Sequence, residues 1–328
     1  MTALAPVLQA FFTDRLAQRR VSPHTVTSYR DTWRLLLGFA QQQLATAPSK
    51  LDVADLDAAF IGAFLDHLET ERRNSIGTRN VRLVAIHALF HYAALRCPEH
   101  AAVIQRVLAI PTKRPDRPVV TFLTRGEADA LLAAVDHASP AGRRDHLLLA
   151  VAVQTGLRVA ELTSLTCADV AVGSGAHVRC QGKGRKERCT PLTKPVAKLL
   201  AAWLADRAAG PADPLFPNRS GGRLSTDAIA DLLAKHLREA ARHCPSLATK
   251  HVTPHTLRHT AAMDLLQAGV DTSVIALWLG HSSTAATQAY LHADLTIKEQ
   301  ALARTAPHPS ARHRYKPSDP LLAFLESL

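Results

Sequence analysis

Apolar residues recur at helical spacing through most of the first hundred positions of this 328-residue chain. Val26, Tyr29, Trp33 and Leu36 follow Ser22-Pro23, a serine suited to cap a helix and a proline suited to its first turn. Phe60, Phe64 and Leu68 mark a second stripe of this kind, and Leu83, Ile86, Phe90 and Ala93 a third. With an opening helix around residues 8–16, the pattern predicts a four-helix bundle over 1–108. The period then stops. AIPTKRPDRPVVT, residues 109–121, holds three prolines and three basic residues. Proline supplies no backbone N–H and restricts its predecessor, so an extended linker is predicted there.

The next segment, 122–305, reads as a second domain. TRGEADALLAAVD and the strongly apolar HLLLAVAVQ predict two helices, the latter stopped by Gly156. ADVAV, HVRCQ and ERCTPL are short β-branched runs separated by GSG and GKGR, which predicts a small antiparallel sheet. Helices are predicted to resume at about Lys194 and continue to the end. The last stretch, 306–328, is proline-rich and closes on LLAFLESL, an apolar helix too short to stand alone. The fold class is therefore mainly α with one small sheet, in two domains.

Composition narrows the function. Residues 1–120 carry 15 basic and 10 acidic side chains, and residues 121–328 carry 24 and 18. Both halves are basic, as suits a protein that grips a polyanion with two surfaces. Arg72, Arg73, Arg79 and Arg82 cluster at the start of the last bundle helix, and Lys113 and Arg114 lie in the linker; all six are candidate contacts to such a polyanion. No apolar run approaches the ~20 residues of a membrane span, and MTALAPVLQAFF lacks the basic start of a secretory signal. The five cysteines form no CxxC pair, so neither a disulfide framework nor a zinc ribbon is indicated and a reducing, cytosolic compartment is expected.

Four places could carry chemistry. In TGLRVAEL, Arg158 follows a helix break, where an arginine held among apolar residues needs an anion: Glu161 or a ligand phosphate. In QGKGRKER, Gly182 and Gly184 would expose Lys183 at a turn, with Arg185 and Lys186 beside it. A lysine suits proton delivery as well as phosphate contact. No GK[ST] opens a following helix, so this is not a P-loop. In TPHTLRHT, Thr253 can cap a helix and Pro254 can start it, placing His255 and Arg258 on one face near the positive helix end, a geometry that suits a phosphate. His255 and His259 also have the spacing of zinc ligands, but Thr256 stands where a zinc protease needs glutamate. In LWLGHSSTAATQAYLH, His281 follows Gly280, and Tyr290 comes nine residues later.

Singly, each place has an ordinary structural explanation. In order they read Arg, Lys, His-x-x-Arg, His, Tyr, and this series resembles the tyrosine recombinase (phage-type integrase) family, with most similarity to bacterial Xer-like and transposon- or plasmid-borne members. The resemblance covers nearly the whole chain. It implies an N-terminal SAM-like DNA-clamping domain and a C-terminal catalytic domain. It implies a site-specific DNA recombinase that cuts and rejoins strands through a covalent 3′-phosphotyrosine, without metal, nucleotide or cofactor. The implied catalytic residues are Arg158, Lys183, His255, Arg258, His281 and Tyr290, with Glu161 in support of Arg158. Tyr290 would be the nucleophile, Lys183 the acid (Lys186 in reserve), and His255 a base or proton shuttle. Arg185 and Lys186 would also touch DNA. The implied partners are double-stranded DNA and further protomers, a homotetramer of two dimers or an assembly with sister recombinases, linked through the terminal helix; the expected location is the bacterial cytoplasm, at the nucleoid. A type IB topoisomerase-like enzyme would use the same chemistry without protomer exchange, and a DNA-binding regulator would have no need of Tyr290.

Overall fold

The computed structural model describes residues 2–19, 21–115, 120–182 and 187–281, together with Thr287 and Tyr290. The chain divides into two compact units, Met1–Arg117 and Pro118–Leu328. Lys183, Arg185, Lys186 and the 306–328 tail lie outside the described residues.

The first unit is helical. Helix α1 (Leu4–Ala10) passes through a π-turn (Phe11–Arg15) into α2 (Leu16–Gln18). Then come α3 (Pro23–Leu44), α4 (Ala58–Thr70) and α5 (Ile76–Ala93), which with the first rod make up the four expected helices. A further short helix, α6 (Ala101–Leu108), adds to them. Local side chains start these helices. Ser22 accepts from the Thr25 N–H with Pro23 in the first turn, Asp57 accepts from Phe60 and Ser75 from Thr78. The apolar stripes meet in one core that includes Trp33, Leu36, Phe64, Leu68, Leu83, Ile86 and Phe90.

The basic residues of this unit fare differently from one another. Arg72, Arg73 and Arg114 are exposed. Arg79 is not: it is buried, with Nε 3.3 Å from Glu69 Oε1 and Nη1 donating to the Pro111 carbonyl. Lys113 Nζ lies 2.7 Å from the same Glu69 oxygen. Arg82 is half-buried and donates to the Ser28 carbonyl and the Thr32 hydroxyl on α3. Arg79 and Arg82 are thus internal ties. Of the four arginines expected to meet a polyanion, these two turn inward, which corrects that expectation: Arg79 is held by a carboxylate and a carbonyl, and Arg82 by a carbonyl and a hydroxyl.

In the second unit, α7 (Arg125–Ala133) opens with a reciprocal Thr124–Glu127 cap, and α8 (Pro140–Thr155) with Ser139 and Pro140. Helix α8 ends at Gly156, which takes the left-handed conformation at φ 63°. A Cβ there would lie 2.6 Å from Leu279 Cδ2 and 3.0 Å from Ala261 Cβ, so the glycine permits both the turn and the close packing. Short α9 (Val159–Ser164) follows. Strands β1 (Val170–Ala171), β2 (His177–Gln181) and β3 (Glu187–Pro191) form an antiparallel sheet in sequential order, with Val178 opposite Thr190 and Gln181 opposite Glu187. Helix α10 (Lys194–Ala205) begins where expected, but 206–225 is irregular before α11 (Thr226–Ala240) resumes the helical pattern. Gly210-Pro211, Pro214 and Pro217 interrupt it. Helices α12 (Pro254–Gln267) and α13 (Thr272–Leu279) complete the described elements. None of the five cysteines is paired, and no described helix is long and apolar enough to cross a membrane.

Candidate active site

The second unit gathers its polar chemistry where four helix ends meet: the C-termini of α8 and α13 and the N-termini of α9 and α12. Carbonyls at helix C-termini lack intrahelical donors. Arg258 supplies them. It is 2% exposed, with Nη1 donating to the Gly156 carbonyl and Nη2 to the Leu279 carbonyl, each at 2.7 Å. One guanidinium therefore clasps the ends of α8 and α13. Burial, then the charge of Arg158, lowers its pKa to about 10, which still leaves it protonated at neutral pH.

Arg158 caps α9. Its N–H donates to Glu161 Oε2 at 2.7 Å, its Nη1 to Glu161 Oε1 at 2.9 Å and its Nη2 to the Gly280 carbonyl at 3.1 Å. Glu161 holds a second cation as well. Arg188, at the start of β3, forks onto the same carboxylate at 2.9 and 2.7 Å. Gly280 makes room for it: at φ 65°, a Cβ on this residue would sit 2.7 Å from Arg188 Nη1. Burial alone would raise the pKa of Glu161, but hydrogen bonds from Arg188 and from the Arg158 backbone, with the Arg188 charge, outweigh it and hold the carboxyl below its ordinary range.

Glu161→Gln is therefore expected to cost the second unit about 3 kcal/mol at pH 7, because two arginines lose one buried carboxylate. The sign with pH follows from the lowered pKa. The carboxylate's contribution is complete above the ordinary glutamate value of ~4.3 and fades as the pH falls through the lower folded value. Urea unfolding at pH 7 and at pH 3 checks this: the gap between wild type and variant should shrink at the lower pH.

The tyrosine end of the site is built from four rings, Tyr290 and three imidazoles. Tyr290 is 3% exposed, packed with Ala262, Met263, Leu266, Ile275 and Leu279. Its hydroxyl lies 3.0 Å from His259 Nδ1. His281 stacks nearly parallel to the Tyr290 ring, at 14° with centroids 6.3 Å apart, while its Nδ1 meets the Thr287 hydroxyl at 2.9 Å. His255 is exposed one turn nearer the start of α12, its ring edge-on to His259 at 4.5 Å. Desolvation and then neighbouring charge keep these imidazoles neutral. His259 falls to about 4 through burial, His255 and Arg258; His281 falls to about 4 through burial, Arg258 and Arg158; His255 is lowered in the same direction. Burial raises the pKa of Tyr290, against the opposing charges of Arg258 and Arg158, so the phenol is protonated at neutral pH.

The structure thus brings together Arg158, Glu161, His255, Arg258, His281 and Tyr290. Lys183, Arg185 and Lys186 belong to the segment between Gln181 and Glu187, whose flanking strands are in register, but they lie outside the described residues. Two residues join the set without having been singled out. Arg188 was visible only as the last letter of QGKGRKER. His259 was visible only as a possible metal partner of His255; among the described residues no group of three or more His, Cys, Asp or Glu side chains is placed to hold a metal ion. The ring that meets the tyrosine hydroxyl is His259, not His255, because Tyr290 is buried and the residue four positions on lies one turn deeper on the same face of α12.

Residues 121–296 match the family model described as the phage integrase family, and residues 8–96 match the phage integrase N-terminal SAM-like domain. The chain is 55% identical to an integrase/recombinase of Sinorhizobium fredii over 99% of its own length and 98% of that protein's. It is 31% identical to the tyrosine recombinase XerC of Pelobacter propionicus over 95% and 98% of the two chains. Its fold is shared with the XerH site-specific recombinase solved bound to its difH substrate in a pre-cleavage complex, with a TM-score of 0.65, 23% identity and coverage of 87% and 81%. With both domains matched in their order along the chain, and a relative of this similarity spanning its whole length, the chain belongs to the phage integrase family and is a tyrosine-type site-specific DNA recombinase.

Proposed function

We propose that the enzyme cuts DNA by attack of the Tyr290 oxygen on a phosphodiester, leaving a 3′-phosphotyrosine and a free 5′-hydroxyl, and rejoins strands by the reverse step. The observation that carries this reading is the convergence of the Tyr290 hydroxyl with two arginines and His281 around shared helix ends. A phosphodiester in transit gains negative charge on its non-bridging oxygens. The planar forks of Arg158 and Arg258 suit these oxygens better than an ammonium would. Only two of the five N–H donors of Arg258 are engaged by the helix carbonyls. His281, neutral, donates one ring N–H to the phosphate. Lys183 protonates the departing 5′ oxygen, with Lys186 as the alternative, and His255 at the open edge of the site passes protons to solvent. Glu161 orients Arg158 and also Arg188.

Two arginines, a lysine and donor histidines offset the phosphate charge without a metal, and the phosphotyrosine bond conserves the energy needed for rejoining, so no nucleotide is consumed. Strand transfer between two target sites should therefore proceed at an unchanged rate in excess EDTA with no nucleotide present. Loss of transfer under those conditions would contradict the reading.

The partner is double-stranded DNA, contacted in the first unit through the exposed Arg72, Arg73 and Arg114, with Lys113 shared with Glu69, and in the second through Arg185 and Lys186. The chain acts in the bacterial cytoplasm as a tetramer at synapsis, its domains running over 1–108 and 122–305 across the 109–121 linker. The 306–328 tail exchanges its apolar helix with a neighbouring protomer.

A further inference from the structure

Cleavage requires that a proton leave the Tyr290 phenol, which is buried and whose pKa burial raises. Tyr290 cannot attack while its O–H bond is intact, and among the described residues its hydroxyl meets one ring nitrogen, His259 Nδ1 at 3.0 Å. The other two imidazoles are engaged elsewhere. His281 lies parallel to the tyrosine ring with its Nδ1 on Thr287, an arrangement that offers the tyrosine its face. His255 contacts His259 edge-on and stands at the surface.

We propose, on the basis of the phosphotyrosine reading, that His259 is a catalytic residue: it accepts the Tyr290 hydroxyl proton at Nδ1 as the tyrosine oxygen attacks phosphorus. The ring then carries its own proton on Nε2. In the forward step the Oη–H bond breaks and an N–H bond forms on His259. The Oη–P bond forms as the P–O5′ bond breaks, and the 5′ oxygen leaves with the electron pair and takes a proton from the lysine. In rejoining, the 5′-hydroxyl returns its proton to the lysine as its oxygen bonds to phosphorus, the P–Oη bond breaks, and the departing tyrosine oxygen recovers its proton from His259. Atoms and charge balance in both directions.

The surroundings suit this assignment. A neutral ring is required, and burial with His255, Arg258 and His281 nearby keeps His259 neutral well below pH 7. Those same groups disfavour the imidazolium while the site is empty. The negative charge of a bound phosphodiester, growing in the transition state, offsets them at the moment of transfer. His259 thus acquires its proton only with substrate in place.

The test uses the full-length protein and a nicked suicide duplex that traps the covalent complex. His259→Gln keeps a hydrogen-bonding side chain but cannot take a proton, so its single-turnover cleavage rate should fall by about 100-fold or more, with the thermal midpoint and DNA affinity of the wild type. His259→Ala should be equally slow and should regain activity with added imidazole, in proportion to the free-base concentration. A substrate with sulfur at the bridging 5′ position, whose leaving group needs no acid, should restore Lys183→Ala and leave His259→Gln slow. Cleavage by His259→Gln within about threefold of wild type, absence of imidazole rescue, or restoration of His259→Gln by the sulfur substrate would each overturn the inference while the phosphotyrosine reading stands. A wild-type protein that forms no adduct on its own sites would overturn both.

Discussion

Tyr290→Phe should bind DNA as the wild type does and form no covalent complex with it. The substitution removes one oxygen from a ring whose carbon atoms fill a small core with Ala262, Met263, Leu266, Ile275 and Leu279. That packing is retained. The lost hydrogen bond to His259 costs about 1 kcal/mol, a small part of the stability of a domain this size. The chemical loss is of another order. Without the nucleophile no residual route through the site exists, and cleavage should fall by at least ~10⁴-fold. The measurement is a denaturing gel of labelled duplex beside a native binding titration. Covalent product with unchanged yield in the variant would remove Tyr290 from the mechanism.

Arg258 and Arg158 should separate when stability is measured alongside rate. Both are assigned to the same phosphate, so replacing either with alanine should lower cleavage by ~10²-fold to 10³-fold, the loss typical of a removed oxyanion donor. Their structural duties differ. Arg258 is 2% exposed and clasps the carbonyls that end α8 and α13. Arg258→Ala leaves two buried acceptors unpaired and a void between the helix ends, at about 1–3 kcal/mol for each acceptor. Arg158, with a side chain one-third exposed, shares Glu161 with Arg188, which still neutralises the carboxylate when Arg158 is removed. Arg158→Ala should therefore unfold in urea close to wild type, whereas Arg258→Ala should unfold at clearly lower denaturant. Equal destabilisation by the two variants would contradict the described division of labour.

Helix boundaries were legible wherever the stop or start is set by neighbouring residues. Ser22-Pro23, Thr253-Pro254 and Gly156 all mark the ends they were expected to mark. Capping chemistry is local, so a short window of sequence contains it. The three short β runs appear as strands for a similar reason: glycine-rich breaks bracket β-branched residues. What escaped depends on contacts between distant positions. Arg79 read as one more basic side chain available to a polyanion, but it is buried against Glu69 and the Pro111 carbonyl, each from another segment. Arg188 lies 27 positions from Glu161 and meets it because β3 passes beside the start of α9. His259 shares a helix face with His255, as its spacing indicates, yet the meaning of that face changes once Tyr290 folds back onto it from 31 positions away. The irregular 206–225 segment contains its own warnings, since glycine and proline punctuate it, but the apolar residues around them imitate a helical period.

The central claim is a tyrosine ester of DNA, and the most direct measurement isolates it. Wild-type protein is incubated in EDTA with a nicked duplex carrying its own recombination site, the mixture is denatured, and the protein-linked DNA is digested for peptide mass spectrometry. The account predicts one modified peptide, with a nucleotide 3′-phosphate on Tyr290 and a free 5′-hydroxyl on the released strand. An adduct on another residue, or a linkage to the 5′ end, would contradict it.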